Sequence, residues 1–251
     1  MANSRNEVRS VKRAFEVIEA LKSLGGATVT ELAEELDVAP STVHNHLATL
    51  ESVGYVVERD HTYELANRFV HLGDHIRLQQ ELYRVAESSI DRLAERSGDM
   101  VNLVVEEHGR AIYLATATGE HAPRNFRFVR EWDYLHSTAA GKAILSRLPE
   151  ARVDEILDER GLPAVTGRTV TDREALFEEL REARERGYAL NDQENTDGVR
   201  AVAAPVGTGK GTYSAVSVSG LTTRIHGERF TEELPEAVRD AAKAIEIDLV
   251  H

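Results

Sequence analysis

Residues 28–50 read TVTELAEELDVAPSTVHNHLATL, and this stretch decides the fold of the first part of the chain. Thr28 and Glu31 form a capping-box pattern, which predicts the start of a short helix. The segment 37–39 predicts a tight turn, and Pro40 or Ser41 opens the next helix. The apolar residues of that helix recur on one face: Val43, Leu47 and Leu50.

The flanking sequence completes a winged helix-turn-helix. Residues 7–24 predict a helix that ends at Gly25 and Gly26. We expect its buried face to consist of Val11, Ala14, Phe15, Ile18, Leu21 and Leu24. Residues 55–57 and 63–65 alternate as strands around the turn 59–62. Three helices and a hairpin therefore predict this fold over residues 1–66, with the third helix entering a DNA major groove.

The solvent-facing side of the third helix separates this interpretation from a helical domain that only packs on a protein partner. That side carries Ser41, Thr42, His44, Asn45, His46 and Thr49. No acidic residue occurs at positions 41–50, although the chain has 43 Asp and Glu. Because phosphates repel carboxylates, this absence favours DNA. The candidate DNA contacts are Arg9, Thr30, Ser41, Thr42, His44, Asn45, His46, Arg59 and His61.

The overall charge argues against nucleic acid. The net charge is −13, and residues 1–70 contain seven Lys and Arg against eleven Asp and Glu, a net of −4. Either nucleic acid is not the partner, or the whole proteome is acidic, as in salt-loving cells. The scarcity of Lys beside abundant Arg and Glu favours a halophilic source.

Several other classes of protein are not indicated. The chain has no cysteine, which excludes disulfides and thiol chemistry, and it shows neither a secretion signal nor an apolar run of membrane length. His108, His121 and His136 lack the spacing of metal ligands. We expect a cytoplasmic protein that does not contact the membrane, is not an enzyme, and has no metal and no cofactor.

The rest of the chain predicts a linker at 67–80 and an α+β domain at 81–251. A long helix is expected at 81–97. Later helices are expected at 138–148, 150–160, from a capping box of Thr171 and Glu174 to Arg186, and at 231–249. Strands are expected at 100–105, 111–117, 126–130, 187–192, 199–204 and 213–220, and a glycine-rich turn at 207–212. This order is typical of an antiparallel sheet flanked by helices, as in a sensor domain.

Several motifs resemble the IclR family of bacterial and archaeal transcription regulators. In the first domain these are SVKRAFEVI at 10–18 and PSTVHNHL at 40–47. In the second they are LHSTAAGKA at 135–143, GYA at 187–189, GVRAVAAP at 198–205 and SVSG at 217–220. Together with the acidic composition, the chain looks like a member of this family from a haloarchaeon.

The resemblance implies a GAF-like effector-binding domain and a linker helix that pairs two subunits. The protein would be a homodimer or a dimer of dimers on a palindromic operator in double-stranded DNA. Its effector would be an organic acid or a sugar derivative, and its target a catabolic pathway. The implied effector-binding residues are His136, Thr138, Ala139, Ala140, Asn191, Asp192, Ala201, Ser217 and Ser219.

The chemistry of these positions agrees with the implied ligands. A helix that starts at Thr138 presents N–H groups to an anion. Ser217 and Ser219 lie two apart on a strand, so their hydroxyls share a face. Such groups suit a carboxylate or a polyol, and we expect His136 to position the loop of the pocket.

The chain departs from the family in two places. His44 and Asn45 stand where the family usually has Tyr and Arg, and Asn binds adenine in bidentate fashion, which predicts an A·T-richer operator. Ala201 is small, so the identity of the effector stays open. An alternative is a metabolite-binding sensor or enzyme whose N-terminal module contacts protein.

Overall fold

In the computed structural model, residues 7–122, 132–207, 209 and 213–250 are described, and the chain forms two units, Met1–Gln79 and Gln80–His251. The first unit contains four helices and a two-stranded hairpin within its described residues. They are α1 (Arg9–Leu24), α2 (Val29–Glu35), α3 (Pro40–Ser52), β1 (Val56–Arg59), β2 (Thr62–Leu65) and α4 (Arg68–Gln79). The predicted winged helix-turn-helix order is confirmed, and α4 lies within the predicted linker segment.

Local signals set the ends of these elements. At the start of α2 the Thr28 N–H donates to the Glu31 carboxylate, and the Glu31 N–H donates to the Thr28 hydroxyl oxygen. This reciprocal pair confirms the capping box. Gly25 ends α1 in the left-handed region, with φ 71°. The wing turns at Asp60 and His61, whose φ angles of 50° and 64° match the type I′ turn of tight hairpins. The predicted inward face of α3 is confirmed: Val43, Leu47 and Leu50 are buried.

The predicted buried face of α1 is partly wrong. Val11 and Phe15 are 53% and 60% exposed, and Leu24 is also exposed. The buried residues are Val17, Ile18, Ala20 and Leu21. At 100° per residue, Val8, Val11 and Phe15 form a second apolar stripe beside the buried one. The periodicity of the sequence identified the apolar positions of α1, but it did not separate the buried face from the exposed one.

The second unit is built on one antiparallel sheet in the strand order β5-β4-β3-β8-β7-β6. Its strands are β3 (Met100–Glu107), β4 (Arg110–Thr118), β5 (Asp133–Tyr134), β6 (Ala189–Asp192), β7 (Val199–Gly207) and β8 (Tyr213–Leu221). Its helices are α5 (Glu81–Ser97), α6 (Ala139–Leu145), α7 (Glu150–Arg160), α8 (Arg173–Arg186) and α9 (Leu234–Asp248). A 3-10 turn, Leu135–Ser137, precedes α6, and a π-helical turn, Arg229–Glu233, precedes α9. The predicted α+β class is confirmed.

Each face of this sheet packs against a different set of helices. Val101, Leu103 and Val105 of β3 belong to a core with residues of α5 and α9. Val104 belongs to a second core with residues of α6, α7 and α8. Because side chains alternate along a strand, Asn102 lies on the same face as Val104, toward α6. The strand therefore presents a buried amide beneath that helix.

The structure corrects two details of the predicted helices, and two further predicted segments lie wholly or partly outside the described residues. The N-cap of α8 is Asp172 and not Thr171, because the Asp172 carboxylate accepts from the Ala175 N–H at 2.9 Å. Helix α6 ends at Leu145, three residues early, and the Ser146 hydroxyl donates to the Ala143 carbonyl there. The predicted strand 126–130, and positions 208 and 210–212 of the glycine-rich turn, lie outside the described residues. In the part of the chain that is described, no helix is both long and apolar enough to span a bilayer.

Candidate functional site

Positions 41–50 of α3 present a polar outer surface without acidic side chains, and the exposed Glu51 follows only at the end of the helix. Ser41, His44 and Asn45 are exposed, and Thr42 and His46 are half-buried. The Thr49 hydroxyl donates to the Asn45 carbonyl at 2.8 Å, so it is engaged within the helix. The imidazole and amide groups of the other residues offer both donors and acceptors to a partner.

The remaining candidate DNA contacts lie on other elements of the first unit. Arg9 is the first residue of α1, Thr30 lies on α2, and both are exposed. Arg59 ends β1, and His61 forms the tip of the wing with a side chain that is 97% exposed. His61 Nδ1 lies 3.5 Å from Glu58 Oε1. The wing therefore extends cationic and imidazole groups into solvent, as a backbone contact requires.

The second unit contains a pocket between α6 and the sheet, with a volume of about 100 Å³. A water molecule needs roughly 10–15 Å³ measured in this way, so the pocket suits a ligand of up to about ten heavy atoms. Seven of the nine predicted effector residues line it: Thr138, Ala139, Ala140, Asn191, Ala201, Ser217 and Ser219. Residues on four separate elements are thus brought to one cavity.

His136 and Asp192 are not among the lining residues. His136 Nε2 lies 3.1 Å from the Pro163 carbonyl, and burial lowers the pKa of this imidazole. Asp192 forms two hydrogen bonds with the Arg200 guanidinium, at 2.8 and 3.0 Å, which lower its pKa to about 2. Both residues hold the framework around the pocket and do not face its interior.

Polar side chains from neighbouring strands form the floor of the pocket. Asn102 of β3 pairs across the ladder with Thr116 on one side and Ser217 on the other. The Thr116 hydroxyl donates to Asn102 Oδ1 at 2.9 Å, which leaves the Asn102 amide nitrogen as a donor. Ser219 Oγ is buried and has no hydrogen-bond partner among the described residues. A buried hydroxyl in this state calls for a ligand or water.

Helix α6 forms the wall above this floor. Thr138 caps the helix, and its Oγ1 accepts from the Gly141 N–H at 2.9 Å, so the hydroxyl proton is available to another acceptor. A Cβ at Gly141 would lie 2.1 Å from the Leu135 carbonyl oxygen. Only glycine permits this close approach of the helix to the preceding turn, which places Ala139 and Ala140 at the pocket.

Sequence reasoning missed a second polar group at the pocket. The Tyr113 hydroxyl donates to Asp133 Oδ2 at 2.6 Å, and the Asn195 amide donates to the same oxygen at 3.3 Å. The other lining residues that were not predicted are Met100, Asn102, Thr116, Thr196 and Val199. Two signals were visible in the sequence: Asn102 interrupts an apolar run, and Asp133 lies two residues before the LHSTAAGKA motif.

A buried ion network connects α6 with the segment that follows β6. Lys142 Nζ lies 2.7 Å from both Glu194 Oε1 and Glu179 Oε2, and its side chain is 4% exposed. Burial raises the pKa of Glu194, while the Lys142 charge opposes that rise. The Glu194 N–H donates to Asn191 Oδ1 at 3.2 Å. The network therefore fixes Asn191, and the segment that carries Glu194 and Asn195, against the helix that walls the pocket.

Among the described residues, no group of three or more His, Asp or Glu side chains is arranged to hold a metal ion.

Comparisons with known proteins connect both units to one group of regulators. The profile of the IclR helix-turn-helix domain matches residues 10–60, and that of the bacterial transcriptional regulator IclR C-terminal domain matches residues 76–247. The chain is 36% identical over 247 residues to a probable HTH-type transcriptional regulator, ArcR, from Halobacterium salinarum, covering 96% of this chain and 94% of that protein. It is 32% identical to the regulator BhcR of Paracoccus denitrificans, covering 97% of this chain and 88% of the relative.

Solved structures show the same fold. The IclR structure from Thermotoga maritima superposes with a TM-score of 0.78 at 27% identity, covering 98% of this chain and all of that one. An IclR homologue from Microbacterium hydrocarbonoxydans, crystallised with 4-hydroxybenzoate, gives a TM-score of 0.80 at 25% identity, covering 96% and 99% of the two chains.

Proposed function

Because this chain belongs to the IclR family of transcriptional regulators, we propose that α3 reads its operator directly through Ser41, Thr42, His44, Asn45 and His46. The observation that carries this proposal is the absence of acidic side chains at positions 41–50 of α3 in a chain of net charge −13. The other candidates, Arg9, Thr30, Arg59 and His61, would contact the DNA backbone. In this proposal residues 1–66 form the DNA-binding domain, residues 67–80 the linker and residues 81–251 the effector domain.

Asn45 sets the base preference of the DNA-binding domain. It is exposed on α3, and an asparagine side chain pairs with the major-groove edge of adenine through two hydrogen bonds. The operator half-site is therefore A·T-rich at the position that Asn45 meets.

The N-terminal unit has a second candidate role, which its charge favours: contact with a protein and not with DNA. Residues 1–70 carry a net charge of −4, so little counterion release would drive duplex binding. DNA contact and protein contact by the N-terminal unit can be told apart by measuring how its binding to a DNA duplex responds to salt.

Binding to DNA is expected to depend only weakly on KCl concentration. Each neutralised phosphate contributes about −0.9 to the slope of log affinity against log salt, so contacts from Arg9 and Arg59 in both subunits of the proposed dimer predict a slope of roughly −4. Fluorescence anisotropy with a labelled operator over a tenfold range of KCl measures it. Arg59→Gln removes one contact from each subunit and should make the slope shallower by about two. A slope steeper than about −5 would contradict both the contact set and the halophilic interpretation.

We assign the dimer contact to the apolar stripes of the first unit. Val8, which directly precedes α1, and Val11 and Phe15 on α1 are each more than half exposed. Helix α4 has no buried residue and exposes four more apolar side chains: Val70, Leu72, Ile76 and Leu78. Exposed apolar side chains in such number mark an interaction surface, and a second copy of the chain fits the symmetry of a palindromic operator.

Charge introduced into these stripes should dissociate the dimer. Phe15→Glu and Ile76→Glu each place a carboxylate in the proposed contact, where its desolvation opposes association. Light scattering in high KCl should show the mass fall from two or four chains to one. Thr223→Glu, at an exposed position of the second unit outside these stripes, is the matched control and should leave the mass unchanged. Full retention of the oligomer in both stripe variants would exclude this surface.

The pocket of the second unit binds the effector in this proposal. Hydroxyls at Thr138, Ser217 and Ser219 and a volume of about 100 Å³ suit a small organic acid or sugar derivative. The effector regulates by binding the DNA-competent and incompetent states with different affinity. The family resemblance implies control of a catabolic pathway, as a homodimer or dimer of dimers.

We place this activity in the cytoplasm of a halophile. The chain has 43 acidic against 30 basic residues, and its 36% identical relative comes from the haloarchaeon Halobacterium salinarum. Carboxylates repel one another at low ionic strength, so high KCl should favour the folded state. No catalytic role is part of the proposal.

A further inference from the structure

Two histidines of α4 lie one helical turn apart. His71 and His75 are both exposed, and the helix is continuous between them. Residues four apart on a helix lie on the same side, with their Cβ atoms about 5–6 Å from each other. Histidines at this spacing supply two of the ligands in helical zinc motifs. The pair can therefore hold one divalent metal ion through two ring nitrogens.

Both imidazoles are available as ligands. Within the described residues, neither is engaged in a hydrogen bond or an ion pair. The buried His136 differs, because its Nε2 lies 3.1 Å from the Pro163 carbonyl oxygen. The expectation that the chain binds no metal rested on histidines without ligand spacing, whereas His71 and His75 have that spacing.

The histidine pair lies among the exposed apolar residues of α4. At about 100° per residue, Leu78 lies about 20° to one side of His71, and Leu72 lies about 60° beyond His75 on the other side. Both leucines are exposed. The two histidines therefore belong to the surface on which we place the second copy of the chain.

One copy of the chain supplies only part of a metal site. Among the described residues, no third His, Asp or Glu is placed to join the pair. A structural zinc ion takes four ligands in a tetrahedron. In a two-fold contact the same surface patch is used by both subunits, so the partner subunit presents the same histidine pair. Two histidines from each subunit make up the four ligands.

We propose that His71 and His75 of two subunits bind one Zn²⁺ ion between their α4 helices. The assignment rests on the proposed dimer contact and adds a metal to it. Imidazole nitrogen suits zinc, whereas calcium and magnesium take oxygen ligands. The ion stabilises the dimer, because its four ligands are complete only when both subunits are present. It also holds the two DNA-binding domains together, which favours binding to both halves of the operator.

The stoichiometry of zinc binding to the full-length protein tests this assignment. Protein freed of metal with a chelator is titrated with Zn²⁺ in high KCl, and the bound metal is measured by competition with a colorimetric chelator. We expect one tightly bound Zn²⁺ ion per two chains. Co²⁺ in place of Zn²⁺ should give the visible absorption of a tetrahedral ion, which weak binding by surface carboxylates does not produce.

Single replacements identify the ligands. His71→Ala and His75→Ala each remove one ligand per subunit and should weaken Zn²⁺ binding by at least about a hundredfold, since losing a residue that only orients a ligand already costs about 10–100-fold. His226→Ala, at an exposed position of the second unit, is the matched control and should bind Zn²⁺ as the wild type does. Ile76→Glu, which should separate the subunits, should also weaken Zn²⁺ binding.

Zinc should act on DNA binding through the same two residues. Addition of Zn²⁺ to the metal-free wild type should tighten operator binding in the anisotropy titration, because the ion favours the dimer. The same addition should leave operator binding by His71→Ala unchanged. An equal response of the wild type and His71→Ala would contradict this role of the ion.

Two results would overturn the metal site: equal Zn²⁺ affinity in the wild type and both histidine variants, or full Zn²⁺ affinity in Ile76→Glu protein that light scattering shows to be monomeric. The proposed regulator function is tested separately. If the protein is dimeric and binds its operator but takes up no Zn²⁺, the metal site is excluded and the regulator proposal is retained. If Zn²⁺ binds through the histidine pair while no operator is bound, the regulator proposal is excluded and the metal site is retained.

Discussion

Replacing Thr42, His44 and Asn45 together with alanine is expected to weaken operator binding by at least about a hundredfold, since each base contact is worth about 1–3 kcal/mol. The side chains that hold α3 in its unit are Val43, Leu47 and Leu50, which the variant keeps. Alanine is also the strongest helix former. The unfolding midpoint and effector binding should therefore stay unchanged. Anisotropy titration with a labelled operator in high KCl measures the loss.

A matched control is the double replacement of Thr118 and Thr223, two exposed neutral residues of the second unit, with alanine. This control should bind the operator as the wild type does. Equal binding by the α3 variant and the control would show that α3 does not read DNA, and it would favour protein contact as the role of the N-terminal unit.

Replacing Lys142 with methionine is expected to destabilise the second unit by about 3–5 kcal/mol, because it leaves a buried carboxylate without its counter-charge. Lys142 contacts both Glu194 and Glu179 at 2.7 Å. Methionine retains the apolar length of lysine, so lost packing contributes little. Urea unfolding in high KCl measures the change, and Lys243→Met, an exposed lysine of α9, should cost less than about 0.5 kcal/mol.

The loss should also depend on pH in a definite direction. Burial already raises the pKa of Glu194, and removal of the lysine charge raises it further. A carboxyl group whose pKa is higher in the folded state than in the unfolded state favours folding at low pH and opposes it as pH rises through the folded pKa. The variant should therefore lose less stability at about pH 5 than at about pH 8. A larger loss at the lower pH, or a loss no greater than that of Lys243→Met, would contradict this account.

The sequence predicted the elements whose signals are local. The capping box at Thr28 and Glu31 and the apolar face of α3 were confirmed. Helix α5 also has its predicted bounds, because a regular apolar stripe ends at Gly98, which adopts φ 70°. The predicted buried face of α1 was partly wrong because periodicity does not distinguish apolar residues of the core from apolar residues that stay exposed.

The pocket was predicted only where a motif is continuous along the chain. The residues of α6, β7 and β8 could be named in advance, whereas Tyr113 and Asn195 lie 20 and 62 residues from Asp133. They meet because β5 pairs with β4 and because the segment after β6 returns to α6. The partners of Lys142 are similarly distant, at 37 and 52 residues. Such contacts follow from sheet order, which local pattern does not specify.

Selection of duplexes from a random pool in high KCl tests the central claim most directly. The wild-type chain and the Thr42, His44 and Asn45 alanine variant are taken through the same rounds of binding and amplification. The account predicts that the wild type enriches an inverted repeat with A·T-rich half-sites, and that the variant enriches none. G-rich half-sites would contradict adenine recognition by Asn45. Enrichment of no sequence by the wild type, or of the same sequence by both proteins, would contradict DNA reading by α3.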